Sequence, residues 1–170
     1  MMAESEVTAA QYRKCVEAGV CTEPDTGGYK NACTWGKSGY DDHPINCVDW
    51  GQARTFSRWV GGDLPTEAQW EYAARGGEGF KYAGSDGPDE VAWYTENTND
   101  TGTREVKTKK RNGYGLYDMS GNVWEWTLDE WHDRYYDEAP RSAEQHWGYV
   151  NRCARRCGEG SSALVNRGGG

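Results

Sequence analysis

The sequence predicts an irregular α+β domain built from three short helices, small strands and much loop. Three observations carry that prediction. Three short stretches each open on a capping residue followed three positions later by glutamine, the signature of a capping box. The chain holds 9 Trp, 11 Tyr and 2 Phe, yet is only 36% hydrophobic, with a mean hydropathy of −0.98. Its 23 glycines divide most of the remainder into pieces too short for long elements. Such polarity would suit a disordered chain, but the aromatics argue against it. Each Trp or Tyr buries a large area, so a few replace many aliphatics. A tryptophan-heavy core is therefore expected, and 170 residues suit a single domain spanning the whole chain.

Each helix follows from its own start and stop signals. The first begins at Thr8, with Gln11 completing the box and Val7 and Tyr12 at the staple positions. It runs to about Ala18 and stops at Gly19, with Tyr12, Cys15 and Val16 on one face. The second has Asp49 and Gln52, Val48 and Ala53 at the staple, and an inner stripe of Ala53, Phe56 and Val60 before Gly61-Gly62. The third has Thr66 and Gln69, with Pro65 just outside and Trp70, Ala73 and Ala74 facing inward until Gly76-Gly77. Beyond it, short strand and loop pieces are expected at 80–83, 91–94 and 105–108. The polar run 95–103 contains Asn97, Asn99 and Asp100 but lacks the EF-hand pattern, so it reads as a surface loop. Residues 133–160 are polar and patternless, a long excursion, and 163–170 resemble a strand entering a glycine turn.

Six cysteines stand at 15, 21, 33, 47, 153 and 157, none of them in a Cys-x-x-Cys pair, and there are only three histidines. A structural zinc site is not expected. Four cysteines in the first 47 residues point to two disulfides, with 21–47 a disulfide-tied loop, and Cys153 and Cys157 offer a third. Spacing leaves the pairing open. This usage favours an oxidising, extracytoplasmic compartment. The opening Met1-Met2-Ala3-Glu4-Ser5-Glu6 is not a signal peptide, so a leader would lie outside this chain. A net charge of −8 disfavours nucleic acid and anionic membrane surfaces as partners, and no run is apolar enough to span a bilayer.

Catalytic signals are sparse. His43, His132 and His146 lie far apart, and no nucleophile elbow, phosphate loop or dinucleotide fingerprint is present. In Cys153-Ala-Arg-Arg-Cys157 the arginines would favour a reactive thiolate, but a plain disulfide, or pairing with other cysteines, is the better reading. Asp41-Asp42-His43-Pro44 reads as a solvated acidic turn rather than a metal cluster.

The densest stretch is 113–131. Its apolar residues Leu116, Met119, Val123, Trp124 and Trp126 are too many for a solvent loop and too interrupted for a long helix. A buried irregular segment needs partners for its carbonyls. Asp118 and Glu125 flank a Ser-Gly-Asn turn, and with the carbonyls of Gly121 and Val123 they would make the all-oxygen cage that calcium prefers. The alternative is that both acids cap local turns or pair with arginines.

Four blocks carry a family likeness: Glu6-Val-Thr-Ala-Ala-Gln-Tyr12; His43-Pro-Ile-Asn-Cys-Val-Asp-Trp50; Gly62-Asp-Leu-Pro-Thr-Glu-Ala-Gln-Trp-Glu-Tyr-Ala-Ala-Arg-Gly77; and Gly115-Leu-Tyr-Asp-Met-Ser-Gly-Asn-Val-Trp-Glu-Trp126. In this order they resemble the formylglycine-generating enzyme, or sulfatase-modifying factor, family, and Asn166-Arg-Gly-Gly-Gly170 resembles its Arg-Gly-Gly block. The resemblance implies a C-type-lectin-like fold with small antiparallel strands. It also implies calcium at the central block, held by Asp118, Gly121, Val123 and Glu125. The enzymes of the family resemble copper-dependent oxidases whose two active-site cysteines follow the Arg-Gly-Gly block. Cys153 and Cys157 precede it, so no catalytic role passes to them. The chain is expected to be a domain truncated at both ends, with no catalytic residue to name and copper relevant only if a further segment follows. The function expected is a non-catalytic, calcium-stabilised, lectin-like binding or structural module with a protein or assembly partner. The alternative is a fragment of an oxidase acting on a sulfatase cysteine.

Overall fold

The computed structural model describes residues 2–27, 32–99 and 102–129, together with a strand at 148–150. The three expected helices form where the caps place them: α1 (Ala9–Glu17), α2 (Trp50–Trp59) and α3 (Glu67–Arg75). All three boxes close in both directions. In α2, Gln52 N donates to Asp49 Oδ1 at 2.7 Å while Asp49 N donates to Gln52 Oε1 at 3.0 Å. Each box satisfies donors that the first helical turn leaves without a partner. At the other end of α3, Gly76 turns left-handed at φ 60°, and an added Cβ there would sit 2.9 Å from Gly113 N. Glycine is required there because it lacks that atom.

Two expectations about packing are corrected. Val60 is 60% exposed, because it is the C-cap and the chain leaves the helix before that position can turn inward. Phe56 is the buried residue of α2, and Ala53 is only half-buried. The core is also less tryptophan-heavy than composition suggested: among the described tryptophans only Trp70 is buried, and Trp59 is exposed. An indole N–H needs an acceptor, which keeps these rings near backbone oxygens and polar groups. Trp50 donates to Thr127 O at 2.8 Å, and Trp126 donates to Val48 O at 3.0 Å.

None of the three stretches expected as short strand or loop forms a strand. Within 80–83, Tyr82 makes a single bridge to Ser85. Val91 ends a short helix, α4 (Pro88–Val91), started by the proline, and α5 (Thr95–Thr98) occupies part of the run read as loop. Residues 105–108 form a turn in which Lys107 has φ 63°. The sheet lies elsewhere: β1 (Glu125–Thr127) pairs antiparallel with β2 (Gly148–Val150), and Trp126 stands opposite Tyr149. β2 falls inside the stretch that reads as patternless.

Two apolar clusters flank this framework. One joins Trp70, Ala73, Ala74, Ala83 and Met119; the other joins Tyr12, Cys15, Cys21 and Phe56. Disulfides link Cys15 to Cys21 and Cys33 to Cys47, so both fall among the four cysteines expected to pair. Cys153 and Cys157, and the strand expected at 163–170, lie outside the described residues. No helix among the described residues is long and apolar enough to cross a membrane.

The central segment is pinned at both ends. Asp129 Oδ1 accepts from Glu67 N at 2.7 Å at the start of α3, and Leu128 N donates to Pro65 O at 2.8 Å. At the far end of α3, Asn112 Nδ2 donates to Ala73 O at 2.7 Å.

Candidate metal centre

Within the pinned segment two non-glycine residues lie in the left-handed region, Asp118 (φ 59°) and Asn122 (φ 64°). Aspartate and asparagine tolerate that conformation better than most residues. Between them, Gly121 presses on Trp93: an added Cβ would lie 2.4 Å from Trp93 O, so no side chain fits. The sequence Asp-Met-Ser-Gly-Asn thus folds into a tight loop that brings its acids inside.

Asp118 is 3% exposed. Its Oδ2 accepts from Lys107 N at 2.8 Å, while its buried Oδ1 has no hydrogen-bond partner. Glu125 opens β1 and accepts at Oε2 from the Trp70 indole at 3.1 Å. Val123 donates its N–H to Glu6 Oε1 at 3.1 Å, and Asn122 Nδ2 donates to Glu6 Oε2 at 2.7 Å. Asp118 lies close enough to raise the Glu125 carboxyl, Gly121 and Val123 fall between them in the chain, and a third acid, Glu6, joins them. Neither Asp118 nor Glu125 makes an ion pair with arginine among the described residues. Sequence reading placed Glu6 in a family block without giving it a site role. Its partners lie 116 and 117 positions away, beyond the reach of any local pattern.

The electrostatics follow from burial. Burial, and then the neighbouring charges of Glu125 and Asp118, push the Glu6 carboxyl well above the usual carboxylate range. Glu125 is pushed up to about 7, by burial first and by Asp118 as well, against the opposing indole hydrogen bond. Burial raises Asp118 too, opposed by the Lys107 backbone hydrogen bond and charge. Three acids that share so little water are poorly stabilised in their charged forms. A cation would reverse this. The donor set is entirely oxygen, and the unpartnered Asp118 Oδ1 is the kind of group a hard cation satisfies, so the residues fit calcium. Asp118 and Glu125 would supply carboxylate oxygens, and Gly121 and Val123 main-chain oxygens. Bound there, calcium would supply charge neutralisation and a rigid turn. Among the described residues no three His, Cys, Asp or Glu side chains form a metal site, so a cation here would have to rely on main-chain donors as well.

The other candidates resolve into structure. His43 Nδ1 lies 2.9 Å from Thr103 Oγ1, and its ring packs on Tyr40. Asp41 pairs with Arg13 at 2.6 Å. Asn97 is taken up in the α4–α5 connection, bonded to Tyr94 N, Ala92 O and Asp89. Asp100, His132 and His146 lie outside the described residues.

A family model described as the sulfatase-modifying factor enzyme 1-like domain matches residues 1–170. The chain belongs to that family. It is 41% identical over 117 residues to a formylglycine-generating enzyme of Streptomyces coelicolor, covering 61% of this chain and 37% of that protein. It thus spans little more than a third of this curated relative. Among sulfatase-modifying-factor-like folds of known structure, it resembles CarF, with a TM-score of 0.59 and 27% identity, covering 75% of this chain and 67% of the other. It also resembles Treponema denticola variable protein 1, with a TM-score of 0.57 and 27% identity, covering 76% and 62%. These similarities bear out the C-type-lectin-like α+β fold that the sequence blocks imply. Enzymes and a variable protein thus share one scaffold, so membership alone does not assign an activity.

Proposed function

We propose that this chain is a non-catalytic, calcium-stabilised binding or structural module of the sulfatase-modifying factor family, working outside the cytoplasm with a protein or assembly partner. The observation that carries the reading is the buried, unpartnered Asp118 Oδ1 beside the buried Glu6 and the half-buried Glu125. Four of the six cysteines are held in disulfides, which supports an oxidising location and leaves those four without a thiol for chemistry. The binding half of the reading is supported by an aromatic surface. Tyr72 and Tyr114 are exposed, with ring centroids 5.5 Å apart and hydroxyls 3.0 Å apart. Exposed tyrosines of this kind are enriched at protein interfaces.

The test is a melting curve with chelator and with calcium. Chelator lowers the melting temperature and calcium restores it, by about 2.7 kcal/mol of stability at a hundredfold excess over Kd, because the ion binds only the native state. Asp118→Ala abolishes the calcium response. A curve indifferent to both chelator and calcium removes the metal from the proposal. The 41% identity to a formylglycine-generating enzyme favours a second reading, a portion of a copper-dependent oxidase that acts on a sulfatase cysteine. Aldehyde formed on a cysteine-containing sulfatase peptide in the presence of copper would replace the first reading with that one.

A further inference from the structure

Glu6 holds none of the implied ligand positions, yet it grips the loop between two of them. We infer that Glu6 is the positioning residue of the cation site: its carboxylate fixes the Asn122–Val123 peptide, and with it the spacing between Gly121 and Val123 on either side of that link. The inference rests on the calcium reading above and adds a residue to it.

The argument is geometric. Asn122 stands between the two main-chain ligands and is left-handed, a conformation that needs support from outside the loop. Its N–H donates to Trp93 O at 2.9 Å. Because a trans peptide is planar, with its N–H and C=O opposed, that bond also sets the direction of the Gly121 carbonyl. Its side-chain Oδ1 accepts from Arg104 N at 2.9 Å, and Nδ2 donates to Arg104 O at 3.1 Å. The next peptide carries the Asn122 carbonyl and leads into Val123, and Glu6 holds it. One carboxylate oxygen takes the Val123 N–H and the other takes Asn122 Nδ2, so a single side chain restrains the turn at two points. The N-terminal arm that bears Glu6 is itself docked: Tyr117 N donates to Glu4 O at 2.9 Å, and Lys107 pairs with Glu4 at 2.6 Å. A neutral side chain could cap the turn, but it would not offer two acceptors to two donors. A third buried acid beside Asp118 and Glu125 would also be a poor choice for a turn that never meets a cation.

The experiment is isothermal titration calorimetry of calcium into the 170-residue chain, wild type and Glu6→Gln, with melting curves of both in chelator and in calcium. Glutamine keeps the size but presents a donor to one of the two donors. The expected result is an affinity at least about tenfold weaker, the loss usual for a partner that orients a metal ligand, and a larger fall in melting temperature in calcium than in chelator. A Glu6→Gln affinity within about twofold of wild type overturns the inference. So does an equal loss of melting temperature in both conditions. Should Glu6→Gln not fold, Asn122→Gly carries the test, since glycine accepts the left-handed backbone and every carboxylate remains. A severalfold weaker affinity supports the inference, and an unchanged one overturns it. Wild-type protein that takes up no calcium would overturn the site itself. Calcium uptake shared equally by wild type and variants would overturn only the role of Glu6.

Discussion

Asn112 is 4% exposed and bonded at both ends of its amide. Nδ2 donates to Ala73 O and Ala74 O at 2.7 and 3.2 Å, closing the C-terminus of α3, while Oδ1 accepts from Tyr114 N and Leu116 N. Asn112→Ala leaves these buried groups without partners, and each is costly. A loss of about 2–3 kcal/mol is expected in urea unfolding with calcium present, with the slope of the transition unchanged. A loss below about 0.5 kcal/mol would show that solvent replaces the amide. Asn112 and Glu6 were illegible in the sequence for the same physical reason. Their partners lie far along the chain, and a lone polar residue carries no periodicity. Asp118 and Glu125 were legible because they share one short segment with the glycine and asparagine that shape it.

At the scale of the element, a capping box is a local device and can be read locally. Thr66 Oγ1 accepts from Gln69 N at 3.2 Å and so starts α3, which carries Trp70 to Glu125 and Glu67 to Asp129. Thr66→Ala should cost about 1 kcal/mol. Val60→Ala should change stability by less than about 0.5 kcal/mol, since that side chain is 60% exposed. Thermal denaturation of the two variants side by side checks both; equal losses would return Val60 to the core. The stretches at 80–83, 91–94 and 105–108 are not decided by sequence, because apolar runs of three or four residues suit bridges, turns and single helical turns as well as strands. Pro88 and the side chain of Asn97 decided between them at 88–98.

Across the whole molecule, the acids define an unusual response to pH. Glu125 titrates at about 7 in the folded chain, against an ordinary value of 4.5. A raised carboxylate pKa contributes stability that is complete below the unfolded value and lost as pH rises through the folded one. In chelator, the melting temperature should therefore fall between about pH 5 and 8, by the equivalent of up to about 3 kcal/mol. Calcium should flatten or reverse that slope, because it favours the ionised acids. Asp63, held down to about 2 by its hydrogen bond with Arg54, contributes stability that is complete above about pH 4 and lost only below it, so it is constant across this window. His43 is lowered by burial and acts in the opposite sense near pH 6, so the informative quantity is the difference between calcium and chelator at each pH. A chelator curve that rises with pH as steeply as the calcium curve would contradict this account.

The docking of Glu4 and Glu6 onto residues 107–123 also sets an order of events during synthesis. α1 and the Cys15–Cys21 loop close within their own short stretch and can form as soon as they emerge from the ribosome. The sixth residue must wait for the 123rd. At ~10 residues per second, the usual pace of translation, the arm stays unanchored for roughly ten seconds on a nascent chain. The loop at 118–123 is thus completed by residues made more than a hundred positions earlier, and it should be among the last parts of this domain to mature.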